Sequence, residues 1–499
     1  MLLESIIGLE IHVQLKTKSK MFCSCSNESE GKAPNILICP VCLGHPGALP
    51  VLNKEVLNYG TKLALSLNLK VNKESIFERK SYFYPDLPQG YQISQFEYPL
   101  SSDGFYLLEE NGEQVRIGIE RLHLENDAAK NFHNKDHSLI DFNRAGTPLA
   151  EIVTRPDIRK PEQARLFLQK LRQLCRYLDI SDADMEKGQL RCDVNISLRP
   201  YGNKNLYSKT EIKNLNSFRS VERAIKYEIE KQTKLWENGT PPNIQTTKGW
   251  NDSKQITELQ RTKEEANDYR YFAEPDIPKI IIKKDLIDKI KQEIPELADE
   301  KIKRFIKEYD LSKVDAEILT STISMAEYFE SIVSEFKEWL ELEIKHKQGA
   351  HTKVWKENKE KSIKLINGWL TSELFKLMNE KNLSIENIKI TPENMAQFIK
   401  IVYLGKVNSS SAQKILKEMF DNGKDPEEII KKYDLAQIND EKEIKKIIEK
   451  IIKENQTQVE QYKSGKENLI KYFVGVAMKE TSGKANPEIA EKLFKEKLK

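Results

Sequence analysis

Fifteen of the sixteen arginines and fifteen of the nineteen prolines in this 499-residue chain lie before residue 290. One uniform architecture does not produce such a split. Proline cannot continue a helix or donate to a ladder, so its abundance marks turns, loops and strand ends. Arginine offers a planar fork for carboxylate or phosphate, where lysine offers a hydrated point charge. The chemistry is therefore expected before 290, and a lysine-rich helical region with only Arg304 after it. At about 150 residues per domain the length suggests roughly three domains.

Composition narrows the class. The chain is 39% hydrophobic and 31% charged, enough to bury a core and remain soluble. Its formal charge of +3 names no partner. There is no apolar run of the ~18 residues that a membrane span needs. Met1 to Leu15 carries Glu4, Glu10 and His12 and no basic leader, so a secretory signal is not expected. The expectation is a cytoplasmic, multidomain protein without a membrane segment.

Local patterns assign the elements. Leu9, Ile11, Val13 and Leu15 alternate with Glu10, His12 and Gln14, and Val194, Ile196 and Leu198 alternate with Asp193, Asn195 and Ser197. Both predict strands. A helix is predicted between Pro161 and Leu178, with Ala164, Leu166, Leu168, Leu171 and Leu174 as its apolar positions. In the second part, Thr391-Pro392-Glu393, Asp425-Pro426-Glu427 and Asn486-Pro487-Glu488 each give a capping side chain, proline at the first position and acid in the first turn. Gly423 and Gly483 are expected C-terminal caps. Glu341 to Ser362 is charged, with few apolar residues beyond Trp355, and reads as an exposed helix or a hinge.

Four of the six cysteines, Cys23, Cys25, Cys39 and Cys42, fall in one short segment as C-x-C and C-x-x-C. Two thiolate pairs match a closed tetrahedral Zn2+ site, and in a cytosolic chain a metal explains them better than disulfides. The alternative is a cluster of reduced thiols. Cys175 and Cys192 lie in apolar patterns and are expected to be packing residues.

Glu10 and His12, two apart in a strand, project from one face. Arg121, His123 and Glu125 share a face of a second expected strand. Glu151 sits inside the apolar run Pro148 to Val153, where an unpaired carboxylate is costly. Asp193 and Asn195 share a third polar strand face. Carboxylates converging on one sheet repel unless a cation neutralises them, the logic of magnesium-dependent phosphoryl transfer. The chain has neither a G-x-x-x-x-G-K-S/T loop nor a kinase glycine-rich loop, so an ATP site must be of another type. Arg79, Lys80, Tyr82 and Tyr84 precede Pro85 to Tyr91, a basic and aromatic segment around a rigid turn. It suits a nucleotide or an RNA end as well as plain packing.

Taken together, these segments resemble the GatB family, the B subunits of the aspartyl/glutamyl-tRNA amidotransferases. The resemblance runs nearly end to end. It rests on Gly8-Leu9-Glu10-Ile11-His12-Val13-Gln14-Leu15, on Cys39-Pro40-Val41-Cys42-Leu43-Gly44, on Arg79 to Ser94 and on Asp141 to Val153. It continues in Met185 to Asn195, Glu211 to Arg219, Asp268-Tyr269-Arg270-Tyr271-Phe272, Gly405-Lys406-Val407 and Gly483 to Pro487.

The resemblance implies an α+β fold: a glutamine synthetase-like cradle with an antiparallel sheet over residues 1–290, an all-α helical connector over 291–362, and a helical YqeY-like tail over 363–499 that touches tRNA. It implies ATP-dependent phosphorylation of the Glu or Asp side chain on mischarged Glu-tRNA(Gln) or Asp-tRNA(Asn). Ammonia made by the amidase, or A, subunit would then displace phosphate, with a small C subunit completing a heterotrimer. It places Mg2+ on His12, Glu125 and Glu151, with Glu10 beside them and Asp193 as a further candidate. Arg79 and Lys80 would face the phosphates or the ammonia route. The four cysteines would hold structural Zn2+.

The chain departs from the family pattern at Gln89, Asn126, Ala129 and Ala273, where lysine, a second acid, glycine and proline are common. The competing reading is a non-catalytic zinc-knuckle tRNA-binding protein, against which the sheet-face carboxylates weigh because they repel RNA. An archaeal-type paralogue would need an insertion for which the chain has no room after Tyr271.

Overall fold

The computed structural model describes residues 2–263, 269–348, 354–438, 440–481 and 484–498. Asp268 and Gly483 lie outside the described residues. The chain divides into two compact units, Met1–Leu297 and Ala298–Lys499.

The strands of the first unit are, in chain order, β1 (Leu3–Gln14), β2 (Lys70–Val71), β3 (Glu74–Ser75), β4 (Glu78–Ser81), β5 (Tyr91–Ser94), β6 (Ser101–Glu110), β7 (Glu113–Asn126), β8 (Lys130–His133), β9 (Ser138–Asp141), β10 (Pro148–Thr154), β11 (Leu190–Pro200), β12 (Thr210–Lys213), β13 (Gln245–Asn251), β14 (Ile256–Lys263), β15 (Phe272–Ala273) and β16 (Ile280–Ile281). Its helices are α1 (Lys54–Ser66), α2 (Pro161–Tyr177), α3 (Phe218–Glu237) and α4 (Lys284–Gln292).

Among the described residues, nine strands form one sheet in the order β14-β13-β12-β11-β1-β10-β7-β6-β2. The expected antiparallel sheet is antiparallel except at β12–β13, which is parallel. Helix α3 intervenes between those two strands, and a helical crossover is what a parallel pair needs. Ile7, Leu9, Ile11 and Val13 of β1 are fully buried. They share one core with Ala164, Phe167, Leu168 and Leu171 of α2 and with Val221, Ala224 and Ile225 of α3. The helices thus cover one face of the sheet, and strand alternation sends Glu10 and His12 to the other. Burying each such aliphatic side chain contributes about 1.5–3 kcal/mol. Helix α2 begins at Pro161 as expected, and the Gln163 side chain accepts from the amides of Arg159 and Lys160. Cys175 and Cys192 are buried in the same core. A second sheet, β15-β4-β5, is antiparallel throughout.

The second unit is helical: α5 (Ala298–Tyr309), α6 (Lys313–Leu319), α7 (Ile323–Gln348), α8 (Val354–Gly368), α9 (Phe375–Lys381), α10 (Pro392–Tyr403), α11 (Ser409–Asn422), α12 (Pro426–Tyr433), α13 (Glu441–Glu454), α14 (Gln456–Lys463), α15 (Leu469–Glu480) and α16 (Pro487–Leu498). Thr391, Asp425 and Asn486 accept amide hydrogen bonds at the starts of α10, α12 and α16. Gly423 closes α11 in the left-handed conformation. One apolar cluster runs from Ile302 to Ile429 and another from Ile444 to Leu498. The charged stretch from Glu341 is helical in its described parts, and the boundary expected at 362/363 falls inside α8. No helix among the described residues is long and apolar enough to cross a membrane.

Candidate active site

The site is built by register. Across the β1–β10 ladder His12 stands opposite Glu151, and across β10–β7 Glu151 stands opposite His123. Glu125 follows two residues after His123 on the same face. The side chains meet as the backbone dictates. His12 Nε2 lies 3.3 Å from Glu125 Oε1 and 3.3 Å from Glu151 Oε2. His123 Nε2 lies 3.0 Å from Glu151 Oε2 and 3.7 Å from Glu125 Oε2. Ser94 of β5 donates to Glu125 Oε2 at 3.0 Å. Glu125, Glu151 and His123 are buried, and His12 and Glu10 are partly so.

Two carboxylates and two imidazoles packed this closely titrate as one unit. Burial disfavours the charged form of His12, but hydrogen bonds to Glu125 and Glu151 outweigh it and hold the imidazole well above the usual histidine range. Burial likewise opposes charge on His123, which the Glu151 charge and the bonds to both glutamates raise to about 9. Burial and mutual repulsion push Glu125 up, yet His12 and His123 bring it below the ordinary carboxylate range. Glu151 is also held low against its burial, through His123 and His12. Glu10 goes the other way: burial, then the Glu151 charge, raise it.

Two donor sets lie here, Glu10–His12–Glu151 and His123–Glu125–Glu151, each with its ligand atoms within 4.8 Å of one another. Protonated histidines balance the charge of the glutamates, a charge that a divalent cation also supplies. Carboxylate oxygens with an imidazole fit a hard divalent cation such as Mg2+. His123 was missing from the expected cation set, although its place on the Glu125 face was readable; its Nδ1 is buried with no hydrogen-bond partner among the described residues.

The other expected residues divide. Asp193 stands opposite Glu10, but its carboxylate is held by Lys213 Nζ at 2.5 Å and belongs to neither donor set. Lys213 also reaches Glu211 at 3.2 Å, and Thr247 donates to Glu211 at 2.9 Å. The polar face thus continues from β1 across β11 and β12 to β13. Lys80 lies close enough to Glu125 and Glu151 for their charges to act on it. Its ammonium lies 5.1 Å from the Tyr269 ring and 5.9 Å from the Tyr82 ring. Burial opposes its charge, and the negative charge of Glu125, with that of Glu151, raises it above an ordinary lysine.

Arg79 is committed elsewhere. Its guanidinium makes a bidentate pair with Glu274, at 2.7 and 2.8 Å, and lies 4.4 Å from the Tyr91 ring centroid. Glu274 is fully buried. Arg191, opposite His12, was not singled out; it bonds the buried Asp127 at 2.8 Å. Asn126 is tied inward, its Oδ1 accepting from Ile93 N–H at 2.8 Å and its carbonyl from Gln92 at 2.9 Å. Gln89 packs on Gly44, where an added Cβ would come within 2.5 Å of it. Gly44 also has φ of +65°, so this knuckle turn requires glycine on both counts.

The four cysteine Sγ atoms converge within 4.8 Å of one another. Cys39 N–H donates to Cys42 Sγ at 3.2 Å, and the turn closes with Gly44 N–H to Val41 O at 3.0 Å. No disulfide forms. Four convergent sulfurs in an amide-lined turn fit a structural thiolate metal site.

Comparison with known proteins agrees with this geometry. The family model of the GatB/GatE catalytic domain matches residues 5–288, which hold the sheet and both donor clusters. A GatB domain model matches residues 352–498. The chain is 46% identical over 496 residues to the B subunit of the aspartyl/glutamyl-tRNA(Asn/Gln) amidotransferase of Persephonella marina, covering 99% of each chain. It is 44% identical to the proteins of the same name from Carboxydothermus hydrogenoformans and Thermotoga maritima, covering 99% of this chain and 98% of each relative. A catalytic α/β unit joined to this helical domain defines one component of a glutamine-dependent carbon–nitrogen ligase. The chain belongs to the GatB family, the B subunits of the aspartyl/glutamyl-tRNA(Asn/Gln) amidotransferases.

Proposed function

We propose that this chain activates and amidates the side chain of a mischarged aminoacyl-tRNA, Glu-tRNA(Gln) or Asp-tRNA(Asn), in a cytoplasmic heterotrimer with an amidase (A) subunit and a small C subunit. The reaction has a physical requirement. A carboxylate cannot be amidated directly at neutral pH, because its leaving group would be oxide. Transfer of the ATP γ-phosphoryl group to the carboxylate creates phosphate as the leaving group, and ammonia displaces it.

The convergence of Glu125 and Glu151 on His12 is the observation that carries this reading. A buried carboxylate pair is a place to hold a cation against nucleotide phosphates. Mg2+, when bound, supplies charge neutralisation between the phosphates and the attacking carboxylate. The chain's own residues do the rest. Glu125 and Glu151 with His12 would hold the cation, Glu10 flanks it, and Ser94 orients Glu125. Lys80 places a positive charge beside the glutamates, where incoming phosphate or carboxylate oxygens are attracted. Asp193 and Lys213 extend the polar face. Arg79 would act by fixing the Lys80 strand, since Glu274 occupies its fork.

In this reading the sheet unit is a glutamine synthetase-like cradle, the helical region comprises a connector and a tRNA-contacting tail, and the four cysteines hold Zn2+. A bare zinc-knuckle tRNA binder has no use for buried glutamates held ionised by histidines. The test is transamidation by the reconstituted complex on both mischarged tRNAs with ATP and glutamine. Conversion of either substrate supports the reading. A complex that binds tRNA and neither cleaves ATP nor forms amide refutes it.

A further inference from the structure

Lys20 is fully buried. A buried ammonium normally needs a carboxylate. Among the described residues Lys20 has none within ion-pair reach; its Nζ donates to Leu37 O at 2.7 Å and Phe142 O at 3.4 Å, and lies 3.8 Å from Cys42 Sγ. Two carbonyl dipoles solvate the group but do not neutralise it.

We propose that Lys20 is the charge partner of the four-cysteine centre and its mechanical tie to the catalytic sheet; this rests on reading the centre as a metal site. Four thiolates around one divalent ion leave two excess negative charges. A lysine ammonium against one sulfur offsets part of that excess, and the metal-loaded centre in turn supplies the counter-charge that lets Lys20 be buried. Each needs the other.

The position of Lys20 makes the link mechanical too. Its amide donates to Cys25 O at 2.9 Å, in the first cysteine pair, while its ammonium holds Leu37 and Cys42 around the second. The next amide, Met21 N–H, donates to Gly146 O at 2.8 Å, and Leu37 N–H donates to Asn143 Oδ1 at 2.8 Å. Phe142 to Thr147 is the loop that enters β10, which carries Glu151. Lys20 therefore reaches the first cysteine pair through its backbone amide, and its ammonium joins the second pair to Phe142, at the start of the segment leading into β10.

The experiment uses the full chain with the variants K20M and K20Q. K20Q keeps a donor for Leu37 O without the charge, and serves where K20M does not fold. Zinc content, the rate of zinc transfer to a chromogenic chelator, and melting temperature with and without zinc are measured. Wild-type protein is expected to hold one zinc, and the variants to release it ~10–100-fold faster, as loss of an outer-shell partner does. The variants should lose more melting temperature when loaded than when stripped, because loading sets four thiolates around the centre, whereas the stripped centre offers Lys20 at most the Cys42 sulfur as a counter-charge. Release at the wild-type rate, or equal loss of melting temperature in both states, overturns the proposal and leaves Lys20 a plain strut. Wild-type protein that takes up no zinc overturns the metal reading itself, and the proposal with it.

Discussion

Glu151 stands directly across the β1–β10 ladder from His12, and their side chains meet at 3.3 Å. A register slip of one residue would send Glu151 into the apolar core. The flanking Ala150 and Ile152 are fully buried on the opposite face and fix that register. The packing of the core thus sets the geometry of the candidate cation site.

This relationship makes stability depend on pH. The folded state raises His12 well above its ordinary value and His123 to about 9. Their stabilisation is full below the unfolded value of ~6.5 and is lost as pH rises through the folded values. For His123 that is about 3 kcal/mol at most. Glu125 and Glu151 are depressed, so their share is present above ~4.3 and is lost only as pH falls through values below the carboxylate range. Protein without added divalent cation should therefore lose melting temperature between pH 7 and about 9.5. Mg2+ should offset the loss, binding more tightly as pH rises because it competes with the histidine protons. A melting profile flat across this range without added divalent cation, or an equal loss with Mg2+ present, would contradict the assignment.

Arg79 and Glu274 form a bidentate pair whose carboxylate end is buried. Arg79→Lys breaks the fork, and Glu274→Gln leaves the guanidinium facing a neutral amide. Each is expected to cost about 2–4 kcal/mol of unfolding free energy, and the double variant clearly less than the sum. The KM for ATP should change less than about threefold, since the guanidinium is not free for phosphate. Additive stability losses, or a KM raised tenfold in a stable Arg79→Lys protein, would return Arg79 to the phosphate site.

Asp193 is held by Lys213 rather than grouped with the candidate cation ligands. Asp193→Asn should weaken Mg2+ by under about fivefold, whereas Glu151→Gln should weaken it by at least ~100-fold. Isothermal titration with Mg2+ separates the two. Equal losses would make Asp193 a ligand.

The sequence made some of this site readable and hid the rest. The alternation in β1 put Glu10 and His12 on one face, and an acid inside an apolar run marked Glu151. Those are local signals. Pairing Glu151 with both His12 and His123 required the strand order β1-β10-β7, which no local pattern contains. Arg79 lay in a basic and aromatic segment that suited a phosphate. Its partner Glu274 is 195 residues away and gave no sign. Lys20 belonged to no motif at all. The parallel pair β12–β13 was missed because strand direction depends on where the α3 crossover returns the chain. The helix starts at Thr391, Asp425 and Asn486 were readable because caps are written within a few residues.

The central claim is that Glu125, with Glu151 and His12, performs ATP-dependent activation. It is tested most directly by ADP formation from ATP by the reconstituted complex carrying Glu125→Gln, in the presence of Glu-tRNA(Gln) and of Asp-tRNA(Asn). The predicted result is a loss of at least ~100-fold in ADP and amide formation, with tRNA affinity within about twofold of wild type and glutamine hydrolysis by the amidase partner retained. A Glu125→Gln complex that still forms ADP and amide at near wild-type rates would contradict it.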